Sequence, residues 1–75
     1  MSDQIIARPA ADGDALRRIR QAKGISIELL AVCAGVSSAT VRRIEAGQGR
    51  PHRTTVEALA AALGRPASDL YGADA

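Results

Sequence analysis

Two adjacent arginines, Arg42 and Arg43, follow a run of small residues, Ser37-Ser38-Ala39-Thr40. A guanidinium is planar, always charged, and holds its N–H donors in a fixed fork. It therefore grips surfaces that offer paired acceptors or anionic oxygens. The neighbouring hydroxyls and methyl add short-range hydrogen bonding and apolar contact. This is chemistry of recognition rather than of bond breaking. Groups that catalysis draws on are sparse: His52 and Cys33 are the sole copies of their types and fall on different expected elements. No carboxylate pair, phosphate-cradling glycine loop or metal-ligand cluster accompanies them, so no enzyme activity, cofactor or metal is expected. Gly47-Gln48-Gly49 reads as turn geometry.

Charge gathers around the same stretch. Between Leu16 and Arg53 stand Arg17, Arg18, Arg20, Lys23, Arg42, Arg43, Arg50 and Arg53 against only Glu28 and Glu45, whereas acidic residues prevail on both flanks. The natural partner of such a stretch is a polyanion. Apolar residues make up 47% of the chain and Tyr71 is the sole aromatic, so the core must be aliphatic. An aromatic platform for stacking single-stranded bases is excluded by the same count. One cysteine permits no internal disulfide and fits a reducing, cytoplasmic setting. The start Met1-Ser2-Asp3-Gln4 lacks the basic and apolar pattern of a signal peptide, and no run approaches the ~20 apolar residues of a membrane-spanning helix.

The 75 residues suffice for one small domain. Residues 1–11 show no sustained period and are expected to form a flexible arm, residues 12–72 the domain, and 73–75 a frayed end. Asp12 or Asp14 caps a first helix that carries Leu16, Ile19 and Lys23 on one side. Ser26 caps a second, Ile27 to Ala34, with Ile27, Leu30, Ala31 and Ala34 facing in. Ser37 caps a third, from about Ser38 to Glu45, with Val41 and Ile44 facing in. Gly24, Gly35 and Gly64 mark helix ends. A fourth helix starts near Thr54, where Thr54 and Glu57 have capping-box spacing, and buries Val56, Leu59, Ala60 and Leu63. Pro66 opens a short fifth helix that docks Leu70 and Tyr71 on the core. The expected class is all-α, a compact five-helix domain.

The second and third helices are short and are joined through Ala34-Gly35-Val36-Ser37. Helices this close meet at a steep angle, with Ala31 small where the backbones approach and Gly35 in the turn. The third helix then projects from the surface. At about 100° per residue, Val41 and Ile44 define its buried side, and the opposite side holds Ala39, Arg42, Arg43 and Ala46, with Ser38 at its edge.

Leu30-Ala31, Gly35-Val36-Ser37, Ile44-Glu45, Gly47, Pro51 and Leu59-Ala60…Leu63-Gly64 resemble the helix-turn-helix domain of the Cro and phage-repressor class, also called the xenobiotic-response-element class. The resemblance runs from about Leu16 to Leu70. It implies a lambda-repressor-like fold, in which the second and third helices form the helix-turn-helix. It also implies a cytoplasmic, sequence-specific regulator that binds double-stranded DNA as a homodimer, nucleoid-associated when bound, with the third helix in the major groove. Positions matching Ser38, Ala39 and Arg43 commonly approach base edges in the family, and Arg42 shares their face. An arginine there can bond guanine O6 and N7 together, and Ala39 can meet a thymine methyl.

Phosphate contacts are expected at the rim. They come from the free N–H groups of helix starts near Ser26-Ile27 and Ser37, from Thr40, from Arg50 and Arg53 beside the following loop, and from Arg17. Arg20 and Glu45 match a pair that joins across the domain in the family, which gives them a structural role. Two departures stand out. Ile27 replaces a glutamine that commonly contacts phosphate, and Ala46 replaces an asparagine. On the outer face of the second helix, Leu29, Val32 and Cys33 stand where charges are usual. That face, with Leu70 and Tyr71, is a candidate protein interface, and Ile5-Ile6 of the arm is a candidate cover for it. An antitoxin-like or adaptor module on the same fold is the competing expectation.

Overall fold

The computed structural model describes residues 11–71. The Ile5-Ile6 cover, the rest of the expected arm before Ala11, and the frayed end at 73–75 lie outside the described residues. Within that span run four α-helices: α1 (Gly13–Ala22), α2 (Ile27–Ala34), α3 (Ser38–Glu45) and α4 (Arg53–Ala62), followed by a single 3-10 turn, Ala67–Leu70.

Local chemistry sets most of these boundaries. The Asp12 carboxylate accepts the Ala15 N–H at 3.1 Å and opens α1. Ser26 Oγ accepts from Leu29 N at 3.0 Å and opens α2, and Ser37 Oγ accepts from Thr40 N at 3.1 Å and opens α3. Each cap satisfies one N–H that the first helical turn leaves without a partner. α2 stops at Gly35, whose φ of +73° lies in the left-handed region that glycine enters without steric cost. The Val36 N–H then reaches back to the Ala31 carbonyl at 3.0 Å and closes the turn.

Two expected elements differ. α4 begins at Arg53 with His52 in the cap position and no side-chain cap bond, so Thr54 and Glu57 form no capping box. A cap residue needs extended backbone, which His52 has (φ −65°, ψ 151°), whereas Thr54 is already helical. The fifth helix is only a 3-10 turn of four residues opened by Pro66. It cannot lengthen, because Leu70 drops into the core and Tyr71 turns extended to bridge Ala11. That bridge, with Asp12 N–H donating to the Leu70 carbonyl at 2.7 Å, also ties down the last residue of the expected arm.

α2 packs on both α3 and α4, α1 packs on α3, and the 3-10 turn packs on α4 and α1. The core is aliphatic: Leu16, Leu30, Val41, Val56, Leu59, Leu63 and Leu70 are almost wholly buried, with Ala31, Ile44 and Ala60 beside them. Ile19, Ile27, Ala34 and Val36 pack against its edge. Each large aliphatic side chain contributes about 1.5–3 kcal/mol on burial. The exposed ion pairs on the surface contribute about 1 kcal/mol or less each, so packing decides the fold.

Candidate nucleic-acid interface

The position of α3 is fixed from below by Val41 and Ile44 and at its end by an ion pair. Arg20, at the end of α1, donates from Nε to Glu45 Oε2 at 2.6 Å and from a terminal nitrogen to Oε1 at 3.1 Å. Its other terminal nitrogen donates to the Ile25 carbonyl at 3.0 Å. One guanidinium thus joins α1, the α1–α2 loop and the last turn of α3. The side chains are only 11% and 7% exposed. Hydrogen bonding to Glu45 holds the Arg20 pKa above its ordinary value against the opposing cost of desolvation, with smaller help from the charges of Glu45 and Glu28.

α1 itself starts against the same place. A Cβ built at Gly13 would lie 2.0 Å from the Ile44 carbonyl oxygen and 2.9 Å from Glu45 Cα. No side chain fits there, so the absence of one at Gly13 is what lets α1 seat on the end of α3.

With its inner side locked, α3 presents Ala39, Arg42 and Arg43 to solvent, with Ser38 and Thr40 half-buried at the margins. Arg42 is held: one terminal nitrogen donates to Ser38 Oγ at 3.2 Å and the other to a Glu28 carboxylate oxygen at the start of α2. Arg43 lies toward the α3–α4 loop. Its side chain passes Gly49, and its carbonyl accepts the Gln48 N–H at 2.9 Å. Between α3, this loop and α4 is an open cleft of about 290 Å³, lined by residues including Thr40, Arg43, Gln48, Arg50, His52 and Thr55.

The expected rim groups lie on several elements. Ser26 and Ser37 sit exposed at the starts of α2 and α3, where the first N–H groups of each helix have no intrahelical acceptor. Such groups suit an anion, as does the positive end of each helix dipole. Ile27 has its side chain half-buried against the core, so only its backbone N–H is available to a ligand. Arg50 and Arg53 are exposed beside the loop, Arg53 as the first residue of α4. Arg17 pairs with Asp14 at 2.9 Å on the outside of α1.

The outer face of α2 is apolar and open: Val32 is 77% and Leu29 47% exposed, and Cys33 is exposed on the same helix. Leu70 does not belong with it. At 2% exposure it is a core residue, and a buried side chain cannot serve an interface. Tyr71 is half-buried and engaged with Ala11.

A family model described as "Helix-turn-helix domain" matches residues 13–74. The chain belongs to the helix-turn-helix family, in the Cro and phage-repressor class. This helix-turn-helix domain is 42% identical over 62 residues to an uncharacterized HTH-type transcriptional regulator, RghRB, of Bacillus subtilis (strain 168). That match covers 81% of the chain and 45% of the relative, so the chain spans less than half the relative's length. Among solved structures, the domain resembles the restriction-modification controller protein C.AhdI from Aeromonas hydrophila at 36% identity and a TM-score of 0.76, covering 79% of this chain and 89% of that one. It also resembles SinR, a master regulator for biofilm formation solved in complex with DNA, at 29% identity and a TM-score of 0.71, covering 76% and 95%.

Two residues of this helix-turn-helix domain escape a reading of the sequence. Glu28 is one acid in a basic stretch, and nothing in its spacing announces a partner fourteen residues away. Gly13 carries no local signal, because its packing role depends on how α1 and α3 meet in space. Among the described residues, no group of three His, Cys, Asp or Glu side chains comes together as a metal site, and no helix is long and apolar enough to cross a membrane.

Proposed function

We propose that the chain is a sequence-specific regulator of transcription that binds double-stranded DNA, a repressor or controller acting as a homodimer on a palindromic operator. The observation that carries this reading is the exposed face of α3. Ala39, Arg42 and Arg43 point outward while Val41, Ile44 and the Glu45–Arg20 pair hold the helix from behind. A helix so presented fits the major groove, where Ser38 and Ala39, early in the helix, reach deepest. Arg43 and Arg42 meet the paired acceptors of guanine. Ser37, Thr40, Ser26, the Ile27 N–H, Arg50, Arg53 and Arg17 then contact phosphates on either side of the groove. The resemblance to C.AhdI, a restriction-modification controller protein, and to SinR, solved in complex with DNA, supports the same class of activity.

Two copies related by a two-fold axis would set their recognition helices about one turn of DNA apart, which is why the expected site is a palindrome. Selection from a random-sequence duplex library at moderate salt tests the proposal. A palindromic sequence should be enriched, and Arg43→Ala should lower affinity for it and relax the preference at one position in each half-site. An Arg43→Ala protein with wild-type affinity and base preference would remove Arg43 from the groove.

A second reading, an antitoxin-like or adaptor module, is favoured by the apolar Leu29 and Val32 face. It expects no enriched duplex and a stable complex with a protein that is lost on Leu29→Glu with Val32→Glu.

A further inference from the structure

On the basis of the DNA-binding reading above, we infer that Glu28 is a specificity-determining positioning residue, which orients Arg42 for one base pair and keeps it from a neighbouring phosphate. The Arg42 guanidinium is anchored at two points: Ser38 Oγ one turn earlier on its own helix, and the Glu28 carboxylate on the preceding helix. Two anchors on different terminal nitrogens fix both the position and the plane of the fork. A single contact would leave the plane free to turn.

The pair is not there for stability. Its side chains are 54% and 63% exposed, a setting in which an ion pair contributes little to folding. What it does change is the charge presented to DNA. Glu28 stands in the first turn of α2, on the rim where phosphates are expected, and it neutralises Arg42. A free arginine at this place would take the nearest phosphate and bind any sequence. Held by Glu28, Arg42 is withheld from the backbone, and the N–H donors that Ser38 and Glu28 do not occupy are left for a base edge. Glu28 therefore trades general affinity for discrimination, because phosphate contacts position a protein without reading sequence.

Glu28→Gln and Glu28→Ala separate orientation from charge. Glutamine keeps an acceptor for Arg42 and loses the charge; alanine loses both. The wild type and both variants are taken through duplex selection and salt titration, with Arg42→Ala to identify the base positions that depend on Arg42. Thermal unfolding of each checks that the fold is intact. Both Glu28 variants should bind random duplex more tightly, and Glu28→Ala should steepen the log affinity against log salt slope by about one, as expected for one added phosphate contact.

Glu28→Ala should also lose ~10-fold discrimination at the positions relaxed by Arg42→Ala, the scale of a well-made base contact, while Glu28→Gln keeps most of it. The inference is overturned if Glu28→Ala retains the wild-type preference at those positions, or if alanine and glutamine relax it equally, which would make Glu28 a charge and nothing more. A wild-type protein that enriches no sequence at all defeats the DNA-binding reading itself, and this inference with it.

Discussion

Arg20 shows how much of a recognition surface can depend on a side chain that never reaches it. Its guanidinium satisfies Glu45 through two bonds and the Ile25 carbonyl through a third, in a place where little water remains. Removing one partner strands the other charge, which costs about 3–5 kcal/mol for a buried pair. Glu45→Ala should therefore lower the urea midpoint sharply, by far more than Glu28→Ala, whose pair is exposed. Unfolding equilibria on the two variants side by side make the comparison. The sign of the Arg20 shift fixes the pH behaviour. A folded pKa raised above the unfolded one gives stability that is fully present below the unfolded value and lost only as pH rises through the folded one. For an arginine that window lies in strong alkali, so Arg20 itself adds no slope to stability around neutrality.

At the scale of elements, the helix-turn-helix is built by short-range signals and seated by a long-range one. Ser26, Ser37 and Gly35 act within three or four residues of where they stand, which is why the bounds of α2 and α3 are legible in the sequence. The start of α4 is less so. Thr54 and Glu57 carry the right spacing for a cap, but nothing in that spacing reveals that the chain is already helical at Arg53. The fifth element is shorter than its sequence suggests for a related reason: its length is set by where Leu70 and Tyr71 must go, not by its own residues. The seat of α3 on α1 is invisible locally, because Gly13 matters only through its approach to Ile44 and Glu45. Gly13→Ala is a substitution that helix propensity alone would favour. It should instead destabilise the domain by about 1–3 kcal/mol, the usual cost of forcing atoms into filled space. Ser37→Ala, which removes only a cap, should cost about 1 kcal/mol. Thermal denaturation of the two variants tests that order.

Across the whole molecule, the exposed surface carries arginines as well as an apolar pair, Leu29 and Val32. If the basic groups named above contact phosphates as proposed, affinity for duplex should fall linearly in log–log form with salt, by about 0.9 in slope for each phosphate neutralised. A slope near zero in a fluorescence-anisotropy titration would contradict the rim assignments. Leu29 and Val32 lie outside the core, and Leu29→Glu with Val32→Glu should leave the unfolding midpoint within about 0.5 kcal/mol of wild type, as for other surface changes. A large loss would show that this face is covered within the chain. The Ala11–Tyr71 bridge has a topological consequence. The backbone enters and leaves this unit at one point, stitched there by the Asp12 N–H on the Leu70 carbonyl. A unit whose entrance and exit coincide is a cassette. Its two ends would meet the ends of a host's surface loop without prying them apart, and α3 would travel with the contacts to α1 and α2 that hold it.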